Sequence, residues 1–226
     1  MRKLVTGGAL GLLLLSAGAP DATTVLIAGA PALSAQRQTV TAIIVPLGTS
    51  QTVPELTSLR DGVAFDLDAD GFLDQTSWTA ADSDVAFLVM DRDGDGQITS
   101  GSELFGGHTW PGARNGVVAL AEMQFAESGV RKGDITAEDP FYSKLLLWKD
   151  SNHNGVSESS ELVPFSRQFA AISLAYKPIP RADGSGNLFD KGDVVLRTAP
   201  GVNRWELRDG QRRTVPVYDV VLRTGQ

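Results

Sequence analysis

Apolar residues crowd positions 39–47 (TVTAIIVPL), a run with the β-branched character of a strand, weakened at Pro46. Two shorter apolar runs, 63–67 and 85–90, each lead straight into a cluster of aspartates. The segment linking those clusters reads as extended rather than helical. A different spacing follows. Apolar residues at 118, 120, 123 and 125, behind Asn115, predict a helix over 115–128 with the asparagine as its cap. Residues 141–148 (FYSKLLLW) predict a second helix, capped by Asp139 and with Pro140 in its first turn. Beyond Glu161 the pattern changes to short strands at 171–176, 187–189, 193–198, 204–207 and 214–222. Turns such as Asp183-Gly184 and Asp209-Gly210 separate them, so a meander packed on the helical part is expected. The expected fold class is α+β.

Composition narrows the chemistry. With 226 residues and 42% hydrophobic content the chain is long enough to bury a core as one or two domains. The absence of cysteine excludes disulfides, thiolate zinc sites, iron–sulfur clusters and a cysteine nucleophile. Two histidines, His108 and His153, leave little for a multi-histidine metal site or a Ser-His-Asp triad. A net charge of −7 argues against a nucleic-acid footprint.

That charge is unevenly spread. Residues 61–103 hold eleven acidic side chains against Arg92 alone, a local charge of −10, while residues 177–226 carry +3. Like charges this dense oppose compaction unless something positive sits among them.

At the other end, Arg2 and Lys3 precede the run 7–19 (GGALGLLLLSAGA), which has the length of a secretory signal core and is too short to cross a bilayer. A signal peptide over 1–35 is expected, with cleavage left open between Ala35 and a point near Ala22. A second apolar stretch, 25–33, would make an anchor together with the first; Pro20 and Asp21 interrupt it and favour cleavage. The remaining chain divides into an N-terminal strand and linker (36–60), an acidic domain (61–162) and a β-rich C-terminal segment packed on it (163–226). The expected location is secreted or on the cell surface.

The acidic domain repeats one pattern three times. Loop 1 reads Asp66-x-Asp68-x-Asp70-Gly71 with Asp74 following. Loop 2 reads Asp91-x-Asp93-x-Asp95-Gly96 with Glu103 following. Loop 3 reads Asp150-x-Asn152-x-Asn154-Gly155 with Glu161 at loop position 12. A hard divalent cation such as Ca²⁺ takes six to eight oxygens, and positions 1, 3 and 5 of a tight loop supply three of them. Glycine at position 6 permits the turn. The position-7 carbonyls of Phe72, Gln97 and Val156 add a fourth oxygen, and a carboxylate near position 12 closes the cage. In loop 2 that carboxylate is Glu103, one place late. In loop 1 Asp74 at position 9 contributes, and Asp82 or Asp84 is the candidate for the missing closing group. A fourth loop aligns through Gly133, Ile135 and Asp139, but its first positions are Ser128, Val130 and Lys132. A lysine among the ligand positions marks it as a metal-free relic, and its spacing from Asp150 resembles a paired loop–helix–loop unit with loop 3.

The strings FDLDADGFLDQTSW, AFLVMDRDGDGQITSGSELFGGHT, NGVVALAE and LLLWKDSNHNGVSESSEL together resemble a bacterial exported domain with EF-hand-like calcium-binding loops, found in secreted and surface proteins. The resemblance covers about residues 61–162 closely and the tail more loosely. It implies two or three Ca²⁺ ions and export, and carries no enzymatic activity. The sequence departs from it at the lysine-bearing loop.

The expected function is therefore calcium binding by a non-enzymatic exported module, the ion stabilising a fold used for surface display, adhesion or assembly. Its partners are calcium and another extracellular protein or surface component, with no nucleic acid and no membrane span once the leader is removed. A secreted hydrolase with structural calcium and a dockerin-like docking module are the alternatives. No GxSxG or HExxH motif supports the first, and the dissimilar, scattered loops disfavour the second. His108 and the four tryptophans, Trp78, Trp110, Trp148 and Trp205, read as structural, and His153, at loop position 4, as solvated. Arg208, Arg212 and Arg213 form a basic patch in the tail.

Overall fold

Strands form where β-branched and aromatic residues alternate between two apolar environments. In β1 (Thr41–Pro46) all six residues are buried. Ile43 and Val45 join one cluster with Ala86, Leu88, Val215 and Val217, while Ala42 and Ile44 join another with Phe87, Val89, Tyr218 and Val220. The alternation of side chains across a strand thus serves two cores, one on each face.

The computed structural model describes residues 40–47, 54–182, 188–196 and 214–225. These belong to one compact unit, residues 38–226. The leader, the 204–207 strand, both Asp-Gly turns, Trp205 and the basic patch at 208–213 lie outside the described residues.

The remaining strands are β2 (Val63–Phe65), β3 (Asp74–Thr76), β4 (Val85–Val89), β5 (Asp134–Thr136), β6 (Leu146–Trp148), β7 (Leu162–Pro164), β8 (Phe169–Ser173), β9 (Lys177–Ala182), β10 (Leu188–Leu196), β11 (Thr214–Val221) and β12 (Thr224–Gly225). Nine of the twelve described strands make one antiparallel sheet in the order β5-β8-β10-β11-β1-β4-β6-β7, with β9 added to β10. A second sheet of three runs β12-β3-β2. Segments 36–60, 61–162 and 163–226 therefore lend neighbouring strands to a single sheet, with β1 hydrogen-bonded between β11 and β4.

The α+β expectation, with EF-hand-like loops among a few short helices, is overturned: the protein is β-rich. Among the described residues one α-helix forms, α1 (Gly116–Ser128), beside two short 3-10 turns at Pro140–Lys144 and Phe165–Arg167. Asn115 caps α1, its side-chain oxygen accepting the Val118 N–H at 2.9 Å. Ala119, Leu120 and Met123 pack it on the first core.

The FYSKLLLW helix does not form. Residues Pro140–Lys144 make the 3-10 turn, and Leu146–Trp148 pair with β4, Phe87 opposite Trp148 and Val89 opposite Leu146. A short apolar run carries no periodicity that separates helix from strand, and the open edge of β4 decides it. Asp139 does not cap this turn with its side chain. The C-terminal strands form no separate meander either, since β10 and β11 lie inside the main sheet. No described helix is long and apolar enough to cross a membrane.

Candidate metal centre

All three aspartate loops are turns between antiparallel β segments. Loop 1 joins β2 to β3, where Phe65 faces Asp74. Loop 3 joins β6 to β7, where Trp148 faces Leu162. Loop 2 leaves β4 and returns to it, the Met90 N–H donating to the Glu103 carbonyl at 3.0 Å and Val89 bridging Leu104. The ladders do the work that flanking helices would do in a helix–loop–helix unit.

Within the loops the backbone repeats itself. Position 6 is left-handed in each, with φ of 90° at Gly71, 83° at Gly96 and 71° at Gly155. Position 4 is left-handed too, at Ala69 (60°), Gly94 (81°) and His153 (57°). Alanine and histidine held there cost about 1–2 kcal/mol each, so the turn is imposed by its surroundings. The hydrogen bonds match as well. The N–H groups of Gly71, Gly96 and Gly155 donate to Oδ2 of Asp66, Asp91 and Asp150 at 3.1, 3.0 and 2.9 Å. Those of Phe72, Gln97 and Val156 donate to Oδ1 of Asp70, Asp95 and Asn154 at 2.9, 2.7 and 2.8 Å. Each turn thereby folds positions 1, 3 and 5 towards one point. Carboxylate oxygens of Asp66, Asp68 and Asp70 lie within 4.8 Å of one another, as do those of Asp91, Asp93 and Asp95.

Closing carboxylates occupy equivalent places in loops 2 and 3 despite the extra residue. Glu103 accepts the Arg92 N–H at 3.1 Å and the Thr99 N–H at 2.8 Å, and Glu161 accepts the Ser151 N–H at 2.7 Å. Both thus grip the N–H of position 2. In the longer loop 2, Gly101 lies against loop 1, where a Cβ would sit 1.8 Å from the Leu67 carbonyl oxygen. In loop 1, Asp74 stands beside its triad: burial, then the charges of Asp68, Asp70 and Asp66, push its carboxyl up. Asp82 is exposed, and Asp84 is exposed and paired with Lys149 at 3.5 Å.

The loops interlock. The Gly101 N–H donates to the Asp66 carbonyl at 2.8 Å, and the Ile98 N–H donates to Ser157 Oγ at 2.6 Å. Ile98 and Ser157 both hold position 8, so loop 3 is partnered with loop 2. The lysine-bearing segment expected to fill that place instead forms β5 and pairs with β8. There Gly133 keeps a left-handed φ of 87°, Asp139 accepts the Thr136 N–H at 2.8 Å, and the Lys132 ammonium lies 3.6 Å from Asp139.

Sequence reasoning missed several contributors. Trp78 and Trp148 are fully buried among Phe65 and Phe87, and their indole N–H groups donate to Asp150 (2.8 Å) and Glu161 (3.2 Å). Two metal-ligand candidates are thus tied to the second core. His153 is not simply solvated: its ring nitrogens lie 2.8 Å from the carbonyls of Thr79 and Asp61. Glu158, at position 9 of loop 3, was also unmarked, although Asp74 holds the same position in loop 1. Its Oε1 accepts from the Asn154 and Asn152 amides at 2.8 and 3.2 Å. Asn154 first, with Glu161, holds the Glu158 carboxyl below its usual range. Burial pushes Glu161 up, and Glu158 adds to that against the lowering effect of Ser151 and Trp148.

Asp68 Oδ1 and Glu158 Oε2 are buried with no hydrogen-bond partner among the described residues. A buried carboxylate oxygen without a donor is costly. An all-oxygen donor set with spare oxygens fits a hard divalent cation.

A family model described as SPM domain matches residues 51–201. The chain is also similar to the iron-regulated protein FrpA of Neisseria meningitidis serogroup C, 34% identical over 142 residues, an alignment that covers 61% of this chain and 12% of that protein. The family match runs through all three aspartate loops, the ELFG turn and the lysine-bearing segment, and the chain belongs to the SPM domain family.

Proposed function

We propose that this chain is a calcium-binding module of EF-hand-like type in which two or three Ca²⁺ ions lock loops 1, 2 and 3 onto the central sheet. The observation that carries the reading is the repeated backbone, left-handed at positions 4 and 6 and bonded alike in three loops of different sequence. Asp66, Asp68, Asp70 and Asp74 would hold an ion in loop 1, with Asp91, Asp93, Asp95 and Glu103 in loop 2. Asp150, Asn152, Asn154, Glu158 and Glu161 would do so in loop 3, and the carbonyls of Phe72, Gln97 and Val156 complete the sets. The ion supplies positive charge where residues 61–103 carry −10, so binding and folding are coupled.

Acting outside the cell suits such sites, since loops of extracellular modules take calcium at about 10⁻⁴–10⁻³ M. Export through the N-terminal leader, and service in surface display, adhesion or assembly, follow as the setting in which that concentration is met. Calorimetric titration with calcium tests the reading: two or three ions are expected, Asp91→Ala removes one and Lys132→Ala removes none. A chain that takes up no calcium contradicts it.

A further inference from the structure

Residues 92 and 107–114 line a cleft of about 650 Å³ that holds two arginines, a histidine and a tryptophan but no carboxylate, in a chain of net charge −7. That volume falls among ordinary small-molecule sites, about 300–1,000 Å³. The ELFGGHT turn shapes it. The Thr109 hydroxyl donates to the Leu104 carbonyl and accepts the Gly106 N–H at 2.8 Å. Gly106 lies so close to β1 that a Cβ would meet the Thr41 carbonyl oxygen at 1.7 Å. Arg92 stands between Asp91 and Asp93 in sequence, yet its Nη1 donates to the carbonyls of Thr109 (2.5 Å) and Ser102 (3.3 Å). Its Nε and Nη2 have no partner among the described residues, and the same holds for Arg114, His108 and the Trp110 indole N–H.

An arginine in so acidic a molecule has carboxylates within easy reach. Two guanidiniums without a carboxylate partner among the described residues line one concavity, and each offers paired N–H donors suited to a carboxylate or sulfate from outside. Trp110 is half-buried and packed on the first core, so it is a rigid apolar wall. Gly107, Pro111 and Gly112 add no long side chain to block a bulky ring. An acidic peptide would use the donors alone, whereas a sugar ring bearing an anion uses both donors and wall.

We propose that this cleft binds an anionic saccharide unit, Arg92 and Arg114 taking its carboxylate or sulfate and Trp110 facing its ring. None of these groups is a calcium donor in the reading above, so the proposal goes beyond it and fails separately from it. The test is calorimetric titration of the full chain with digalacturonate and with a sulfated heparin disaccharide, in matched buffers holding about 1 mM calcium. At least one of the two binds and neutral cellobiose does not. Arg114→Ala, at an exposed side chain without a partner among the described residues, weakens binding about tenfold or more with an unchanged melting temperature, as loss of a charge-assisted hydrogen bond requires. Arg114→Lys, which keeps the charge and loses the fork, falls between. Failure of both disaccharides to bind, equal binding of cellobiose, tighter binding of an acetylated tetraglutamate, or an affinity indifferent to Arg114→Ala overturns the proposal.

Discussion

Loops 1 to 3 and the segment 128–139 turn the chain through a left-handed glycine at the same loop position, yet they handle charge in opposite ways. In loops 1 and 2 the carboxylate oxygens converge, and Asp68 Oδ1 of loop 1 and Glu158 Oε2 of loop 3 have no donor among the described residues. In the fourth, ligand positions 1, 3 and 5 carry no carboxylate and only position 12 keeps one, Asp139, to which the chain brings its own cation. Lys132 lies 3.6 Å away, Gln124 donates to the same oxygen at 3.1 Å, and the Thr136 N–H fills the other. The surroundings differ as well. The aspartate loops are hairpin turns tied to the aromatic core, while the lysine-bearing segment connects α1 to β5. The fourth turn thus carries an internal positive charge; under the calcium reading proposed above the other three take theirs from outside, which would make their stability conditional on the medium.

The strongest way to break that comparison is to take the ion away. Each occupied site adds about 2.7 kcal/mol when free calcium exceeds its Kd a hundredfold, so two or three sites dominate every other effect. Melting in calcium and in chelator measures this, and identical curves would end the case for bound ions.

Asp150→Ala comes next. It removes an oxygen set from loop 3 and leaves the buried Trp78 N–H without its acceptor, at a cost of about 3 kcal/mol. Part of that loss remains in chelator, because the Trp78 bond does not depend on an ion. Chemical denaturation in both media separates the two parts.

Lys132→Met sharpens the comparison from the other side. Asp139 is 2% exposed and would lose its cation; because the lysine is about one-third exposed, solvent reduces the cost to about 1–2 kcal/mol. The loss should be the same with and without calcium. A calcium-dependent difference would show that the segment is coupled to the metal loops.

The smallest effect concerns pH. Asp74 and Glu161 have carboxyls raised in the folded state, first by burial. A raised carboxyl keeps its proton to higher pH than the unfolded chain does. In chelator its contribution to stability is thus present in acid and falls as pH climbs from the ordinary carboxylate value to the raised one. Glu158, lowered, works in the opposite sense. Asp74→Asn removes one share of the fall, under about 0.5 kcal/mol for so solvent-screened a group, and denaturation across that pH window reads it.

What the sequence determined by itself was local. The Asp-x-Asp-x-Asp-Gly spacing dictates that positions 1, 3 and 5 gather and that position 6 is glycine, because those constraints act within a few residues. The helix behind Asn115 was legible for the same reason: cap and periodicity lie in one stretch. Tertiary structure decided the rest. Leu146–Trp148 became a strand because β4 offered unpaired backbone groups, a demand that no local pattern records. Loop 2 found loop 3 through Ile98 and Ser157, which lie 59 positions apart, and β1 found β11 across most of the chain. Glu158 was within reach of the sequence, since Asp74 is read as a ligand at the same loop position; only its contacts with Asn152 and Asn154 needed the fold. Propensity and turn chemistry act over a few residues, while burial and strand pairing are settled by whichever surfaces meet once the chain has collapsed.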